Sequence, residues 1–447
     1  MKAVNILRSR RMLALSALSV IASVPFIACA ASETEVTTDD AGAPPTENQI
    51  PTAQPPSDAG QPDADAAEAP PALDASRCSD GGFCLEPLPI QKPLLAVSAA
   101  NMNDAWAVAR DAILRWDGTS WNAVYHYTGT GEADPEMFGI WATKHDDAWA
   151  LATGTLVRYS VRDGGAPTFR EHSFRAAAND TVSYWADPTS EELWVVTGYQ
   201  SRPMAYRYRE TPEGGLEETR FVDAPIGLPW NQNNAAFLPR TVFGFAADDI
   251  YVGGAWCTRS CNSAYPDWGN FDGAIAHYDG TSWSIVARLA QGETVSGLYG
   301  TKAASGPQRL WAWVGRDGWT DLGNELRLLE LPEGDAGALT VVAGRKVRLD
   351  GWTGHPMFDS WSSGCHHIIG SVPPSGGAWL SDVCFVYRWN GTSLETASTL
   401  WNGVPLGTIN GIWAGDDEEA WIVGEAPRQS EYEAPAGFAA RRVRKAP

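Results

Sequence analysis

Three copies of one small turn set the terms on which this chain can fold. WDGTSW at Trp116–Trp121 returns as YDGTSW at Tyr278–Trp283 and, less completely, as WNGTSL at Trp389–Leu394. Each copy closes a longer phrase, whose fullest form is LLAVSAANMNDAWAVARDAILRWDGTSWNAVY from Leu94 to Tyr125. The phrase holds apolar runs of strand length separated by polar turns, and Asp-Gly supplies the positive φ that a tight hairpin between the last two runs demands.

The centre of the phrase recurs as Ala105-Trp106, Ala148-Trp149, Leu193-Trp194, Ile250-Tyr251, Leu310-Trp311, Ala378-Trp379 and Ala420-Trp421, each preceded by its own apolar run. The shortest intervals match the blade period of about 40–45 residues that four-stranded propeller repeats show, and the longer ones are blades carrying loop insertions. The prediction is an all-β fold: a single seven-bladed β-propeller of four-stranded blades over residues 77–447. Composition agrees, with 44 Gly, 30 Pro and 21 Trp in a chain poor in long helix-forming runs. Glycines at Gly139, Gly244, Gly297 and Gly411 fall in innermost runs, where backbones converge. The last unit lacks an outer strand, while GFCLEPLPI at Gly82–Ile90 belongs to no unit. It is expected to pair there and close the ring, which removes exposed sheet edges.

The first residues read as an address. Lys2, Arg8, Arg10 and Arg11 precede an apolar stretch, Met12 to Val24, too short to span a membrane comfortably. It ends in Phe26-Ile27-Ala28-Cys29, which resembles a bacterial lipobox, so residues 1–28 are expected to be a lipoprotein signal peptide and Cys29 the lipidated N-terminus. Residues 29–76 are rich in Asp, Glu, Pro and Ala, and Ser32 to Ser76 holds no Lys, Arg or aromatic residue. Such a stretch cannot bury a core and is expected to be a disordered tether. The expected location is the bacterial outer membrane or cell surface, with the membrane a partner through the lipid. A net charge of −21 excludes nucleic acid as a partner, since both are anionic.

The repeats resemble the kelch-like and sialidase-type propeller repeats of secreted bacterial proteins, and the whole chain is similar to myxobacterial-type surface lipoproteins. The resemblance covers roughly Cys78 to Lys445. Only Gly253-Gly254 sits where kelch repeats place a glycine pair, and the Asp-x-Gly spacing of the sialidase Asp-box is not met. The resemblance therefore implies the architecture and no family's active site.

Six cysteines besides Cys29 fit disulfides in an exported protein. Proximity pairs Cys78 with Cys84, Cys257 with Cys261, and Cys365 with Cys384. A zinc reading competes at Cys365-His366-His367, but no second ligand cluster accompanies it, so neither metal nor cofactor is expected.

In a four-stranded blade, the loops joining second to third strands and blade to blade open on one face. The large insertions at 224–240, 254–273, 315–323 and 350–364 all belong there, around blades four to six. They hold the tryptophans the blade pattern does not use: Trp230, Trp256, Trp268, Trp319, Trp352 and Trp361, with Tyr265 and His355 beside them. Aromatic platforms with polar neighbours suit glycans and protein ligands alike. The expectation is a monomeric surface binding module rather than an enzyme. The alternatives are a polysaccharide-acting hydrolase or lyase, with Asp267 and Asp359 as acid and base, and a passive structural envelope protein. HExxH, GxSxG and phosphate-cradling glycine loops are absent from the sequence. The acidic runs Asp146-Asp147 and Asp416–Glu419 are expected to be solvated turns on the opposite face.

Overall fold

The computed structural model describes residues 77–129, 136–161, 165–173, 181–197, 204–221, 236–257, 271–301, 309–316, 325–330, 340–346, 369–371, 378–381, 386–389, 394–397, 399–401, 404–427 and 436–444. The expected signal peptide, Cys29 and the expected tether lie outside them.

Blade 1 consists of β2 (Leu94–Asn101), β3 (Asp104–Ala109), β4 (Ala112–Trp116) and β5 (Trp121–His126), after a short β1 (Phe83–Glu86). Blade 2 holds β6 (Met137–Lys144), β7 (Asp147–Ala152), β8 (Thr155–Ser160) and β9 (Thr168–Ser173). Blade 3 holds β10 (Thr181–Ala186), β11 (Leu193–Thr197), β12 (Met204–Glu210) and β13 (Leu216–Phe221). Blade 4 holds β14 (Ala236–Ala246), β15 (Asp249–Cys257), β16 (Phe271–Tyr278) and β17 (Trp283–Gln291). Blade 5 holds β18 (Glu293–Thr301), β19 (Arg309–Arg316), β20 (Glu325–Glu330) and β21 (Thr340–Lys346), and blade 6 holds β22 (Ile369–Ser371), β23 (Ala378–Ser381), β24 (Val386–Trp389) and β25 (Leu394–Ala397). A two-stranded ladder, β26 (Leu400–Trp401) and β27 (Val404–Pro405), precedes β28 (Thr408–Ala414), β29 (Ala420–Glu425) and β30 (Gly437–Arg442).

Each of these six blades is an antiparallel meander of four consecutive strands. The remaining four-stranded sheet has the order β1-β30-β29-β28. The seven like blades expected from the sequence are thus six blades of consecutive strands and one composite sheet. In that sheet the outer strand comes from the start of the domain, with Phe83 opposite Arg442 and Glu86 opposite Ala439. Only Phe83–Glu86 of the expected Gly82–Ile90 segment joins the ladder, and the Cys78–Cys84 disulfide ties its leading turn.

The innermost strands β2, β6, β10, β14, β18, β22 and β28 touch in that cyclic order, and β28 returns to β2. Apolar side chains of facing sheets fill the gaps between them, which is how a propeller buries two faces of every blade. Trp421 and Val423 of the composite sheet pack with Leu94, Trp116 and Trp121 of blade 1, and Trp379 and Val386 of blade 6 pack with Phe83 and Ile412.

The repeated turn serves this packing. Trp421 meets Trp116 and Trp121 of the next sheet at centroid separations of 5.3 and 5.2 Å. Trp194 of blade 3 likewise meets Tyr278 and Trp283 of blade 4 at 5.5 and 6.2 Å. The two aromatics that flank each turn therefore box in the second-strand tryptophan of the preceding blade. Between them the chain reverses with Gly118 at φ 96° and Gly280 at φ 88°, the left-handed conformation glycine takes without strain. The aspartate is not left-handed. Asp117 Oδ1 instead accepts from the amides of Thr119 and Ser120, both at 2.9 Å, and Asp279 Oδ1 does the same for Thr281 and Ser282 at 2.8 and 2.7 Å.

The inner ring is drawn tight in a second way. Ser98 Oγ of blade 1 accepts the amide of Ala142 in blade 2 at 3.0 Å, and Ser371 Oγ of blade 6 accepts that of Ala414 at 2.9 Å. Ser183 and Thr241 make the same bond from blades 3 and 4 to Val242 and Leu298. At Gly411 an added Cβ would stand 2.8 Å from the backbone nitrogen of Val97 in blade 1, so this convergence admits no side chain.

Candidate functional site

The edge where first strands turn into second strands carries most of the described ion pairs. In each of six sheets an arginine or histidine of the third strand lies opposite the second-strand aromatic: Arg115 with Trp106, Arg158 with Trp149, Arg207 with Trp194, His277 with Tyr251, Arg388 with Trp379 and Arg441 with Trp421. Across the face of the aromatic the cation meets an acid. Arg115 Nε donates to Asp104 at 2.9 Å, Arg158 Nη2 to Asp147 at 2.6 Å, and His277 Nε2 lies 2.8 Å from Asp249. Blade 5 departs from the pattern, since Leu328 faces Trp311 and Arg327 pairs with Glu293 at 2.6 Å.

Three of these arginines also reach forward to the acidic turn of the next sheet. Arg115 meets Asp146 at 2.7 Å, Arg158 meets Glu191 at 3.0 Å and Arg388 meets Glu418 at 2.8 Å. The indole nitrogens of Trp149 and Trp379 donate to the carbonyls of Glu191 and Asp416 in those same turns. Asp146-Asp147 is therefore not a solvated run. The Asp147 side chain is 3 % exposed, and burial pushes its carboxyl up to about 6. Asp416 caps its own turn by accepting from the amides of Glu418 and Glu419. On this edge charge joins blade to blade.

The signal for this network stands in the sequence as a cation before an aromatic in ILRW, LVRY, AYRY, IAHY and VYRW. Reading tryptophans alone passes over it, because the cation of each unit lies a full strand away from the acid it binds.

The opposite edge is built differently. The connections 222–235 (β13 to β14), 258–270 (β15 to β16), 317–324 (β19 to β20) and 347–368 (β21 to β22) all leave and re-enter the blades there. Blade 4 is also extended toward this edge, β14 running over 11 residues and β15 over 9. The first and second insertions expected from the sequence are correspondingly shorter, since Ala236–Arg240 and Gly254–Cys257 are strand. Of the proposed ligand-binding aromatics, Trp256 lies in β15 opposite Phe237. It is half-buried at the margin of the core between blades 3 and 4, and the Arg288 guanidinium stands 4.7 Å from its ring centroid. Trp230, Tyr265, Trp268, Trp319, Trp352, His355 and Trp361 lie outside the described residues, as do Asp267, Asp359, Cys261, Cys365 and Cys384.

The same edge shows two further features. A cleft of about 270 Å³ on blade 1 is lined by Ile90, Lys92, Asp111, Val124, Tyr125 and His126. Its acid is neutralised from within, Lys92 Nζ standing 2.5 Å from Asp111 Oδ2. At the central channel, six innermost strands break register at one equivalent position, which leaves Leu95, Phe138, Val182, Arg240, Ser296 and Asn410 unpaired. Each extra residue is a β-bulge, placed next to the mouth on the insertion side. Among the described residues no group of three or more His, Cys, Asp and Glu side chains is disposed to hold a metal ion, and no helix is long and apolar enough to cross a membrane.

No protein-family model matches the chain, and no curated protein matches it. Solved structures similar to it include YCF48 from Cyanidioschyzon merolae, 14% identical, with 81% of this chain and 98% of that chain covered at a TM-score of 0.48. Virginiamycin B lyase from Staphylococcus aureus is 12% identical, with coverage of 79% and 96% and a TM-score of 0.45. The extracellular domain of a hybrid two-component system from B. thetaiotaomicron is 12% identical, with coverage of 81% and 40% and a TM-score of 0.47. At such values the likeness carries no conclusion about ligand, activity or partner.

Proposed function

We propose that this protein is an exported, lipid-anchored β-propeller of the bacterial cell surface that works as a binding module for glycan or protein ligands. Cys29 is its lipidation site, residues 29–76 its tether, and the closed ring of six blades and the composite sheet its working part. The ligand face is the insertion-bearing edge of blades 4 to 6. Trp230, Tyr265, Trp268, Trp319, Trp352, His355 and Trp361 are its contact residues, and Trp256 with Arg288 forms its inner margin.

One observation carries the reading: the two edges of the blades are put to different uses. On one edge the acids of the turns are paired with arginines of the preceding blade. On the other, the long connections gather over consecutive blades. Binding loops on a rigid scaffold have this distribution.

The test is a glycan array probed with the secreted chain carrying Cys29→Ser, beside the same chain with Trp268→Ala and Trp352→Ala. Retention of a defined glycan by the first and its loss by the second is the expected result. Absence of any retained ligand points instead to a structural envelope protein, and turnover of a bound polysaccharide to an enzyme.

A further inference from the structure

Among the described residues one disulfide is formed, and it closes the turn that leads into β1. A loop as short as Cys78 to Cys84 takes less freedom from the unfolded chain than a long one does. Loop entropy is thus a weak reason for a cross-link at this point. Along the chain, β1 is the first strand after residue 77, and its four residues complete the outer edge of the composite sheet. A pull arriving from the N-terminal side meets this strand before any other. Phe83 lies opposite Arg442 at the near end of the ladder and Glu86 opposite Ala439 at the far end, so such a pull loads the pairs one after another, starting at Phe83.

The turn is locked on itself. Ser79 donates its amide to the carbonyl of Phe83 at 2.7 Å, Gly82 donates to the carbonyl of Ser79 at 2.9 Å, and the Phe83 amide donates to Ser79 Oγ at 3.1 Å. Cys78 and Cys84 face each other across it as an isolated antiparallel bridge. Two covalent routes therefore run from Cys78 to Cys84, one through the backbone of residues 79–83 and one through the two sulfur atoms. The sulfur route is the shorter, so it goes taut first and the backbone route stays slack. Phe83, fully buried against Trp379 of blade 6, is left unstretched on the slack side. Tension enters at Cys84, whose ladder partner is Arg441. Further on, Arg441 Nε also holds Glu86 at 2.6 Å, with both side chains more than nine-tenths buried. Freeing Cys84 means drawing out Phe83 in the same step, because the two are adjacent.

We infer that the Cys78–Cys84 disulfide is a tension shackle, which carries a pull from the membrane tether past the Phe83 turn into the closure strand and so keeps the ring of blades shut under load. This rests on the lipid-anchor reading, which supplies the pull, and adds to it how the fold withstands one. Without the cross-link, tension runs through residues 79–83 and peels Phe83 out first, after which the remaining pairs open in turn. With it, the buried ring, the Cys84 pair and the Glu86–Arg441 contact must yield together. Forced opening is governed by the unfolding barrier rather than by stability at rest, and a concerted step has the higher barrier. A disulfide that acted only on the unfolded chain would leave the order of events under load unchanged.

The test is single-molecule pulling on the full secreted chain with Cys29→Ser, held by a tag ahead of residue 29 and another after Pro447. The parent is expected to show no lengthening before the ring opens. Cys78→Ser/Cys84→Ser is expected to show an early lengthening of about 15–20 Å, from 6 residues drawn out at about 3.4 Å each less the gap they already span. Ring opening should follow with a lifetime under constant force shortened about ten-fold or more. Pulled instead from a handle at Glu218, exposed on blade 3, neither chain should show the early lengthening. Its absence from the double serine chain, or equal lifetimes, overturns the shackle. So does the same lifetime ratio when the pull comes from Glu218, which marks a general loss of stability. Should the double serine chain not fold, Cys78→Ser alone leaves the buried Cys84 side chain in place, and traces like the parent's then overturn the assignment. A chain whose Cys29 takes up no labelled palmitate defeats the anchor reading instead, whatever the traces show.

Discussion

The Arg158 guanidinium lies 4.5 Å from the centroid of the Trp149 ring, held there by a 2.6 Å bond to Asp147. Both charges are withdrawn from water, the side chains being 1 % and 3 % exposed. Burial dominates over the attraction of Arg158 and raises the Asp147 carboxyl from 3.8 to about 6. A carboxyl raised in the native state keeps a proton that the unfolded chain releases, so its contribution favours folding at low pH and is lost as pH climbs from about 4 to about 6. Asp147→Asn removes that contribution. Relative to the variant, the parent chain is expected to lose on the order of 2–3 kcal/mol between pH 4 and pH 7. Urea midpoints of the two chains at both pH values measure it, and parallel pH profiles contradict it.

The aspartate of the repeated turn behaves in the opposite sense. Burial is the largest single influence on the Asp117 carboxyl and raises it, but several hydrogen bonds together outweigh it. The hydroxyl and amide of Thr119, the amide of Ser120 and the side chain of Asn122 together lower it to about 2. A lowered carboxyl stabilises the fold above its unfolded value near 4, and that stabilisation is lost as pH falls from about 4 to about 2. Solvent screening keeps the effect below about 1 kcal/mol. Asp117→Ala is expected to cost about 1 kcal/mol at pH 7 and almost nothing at pH 2. Thermal melts at the two pH values distinguish this from a substitution that acts through packing.

The periodic part of the fold was legible because each blade repeats the same burial. A Trp, a Gly and an Asp-Gly at fixed offsets mark an inner strand, a packed face and a turn, and Ala105-Trp106 through Ala420-Trp421 place the second strands correctly. The closure strand was legible by arithmetic, since an unpaired edge and an unassigned strand call for each other. The cation opposite the second-strand aromatic of six sheets escapes a reading of tryptophans, because its acid lies across a hairpin or in another blade and no local pattern joins them. The bulges of the innermost strands leave no such signal for a different reason. A bulge shifts register by one residue, and the periodicity that identifies a strand carries no mark of where it slips. Among the expected contact residues, Trp256 falls inside the insertion expected over 254–273, whereas β15 runs on through Gly253-Gly254 to Cys257.

The hydroxyls of the innermost strands join neighbouring blades. Ser98 Oγ takes up the amide of Ala142, which is buried and has its blade's ladder on the other side only. Ser98→Ala leaves that N–H without an acceptor and is expected to cost about 1–3 kcal/mol. Ser371→Ala is expected to act the same way on Ala414. Hydrogen exchange locates the loss: the amide of Ala142 should lose protection in Ser98→Ala while that of Ala414 keeps it. Uniform loss at both amides is the signature of global destabilisation and argues against a local staple.

Closure concentrates on Phe83. The side chain is fully buried, its ring stands 6.0 Å from that of Trp379 in blade 6, and its strand pairs with β30. Arg441 Nε donates to Glu86 Oε1 across the same ladder at 2.6 Å. Phe83→Ala is expected to cost about 3–5 kcal/mol through the cavity it leaves between blade 6 and the composite sheet. The Cys78–Cys84 disulfide acts on the same strand by another route, since it limits the freedom of the leading turn in the unfolded chain. Replacing both cysteines with serine is expected to cost about 2 kcal/mol and to leave the ladder formed. The two effects separate by exchange at the β30 amides that face β1. Phe83→Ala should expose them far more than the double serine variant does, whereas equal exposure means that the disulfide, and not the buried ring, holds the ring of blades shut.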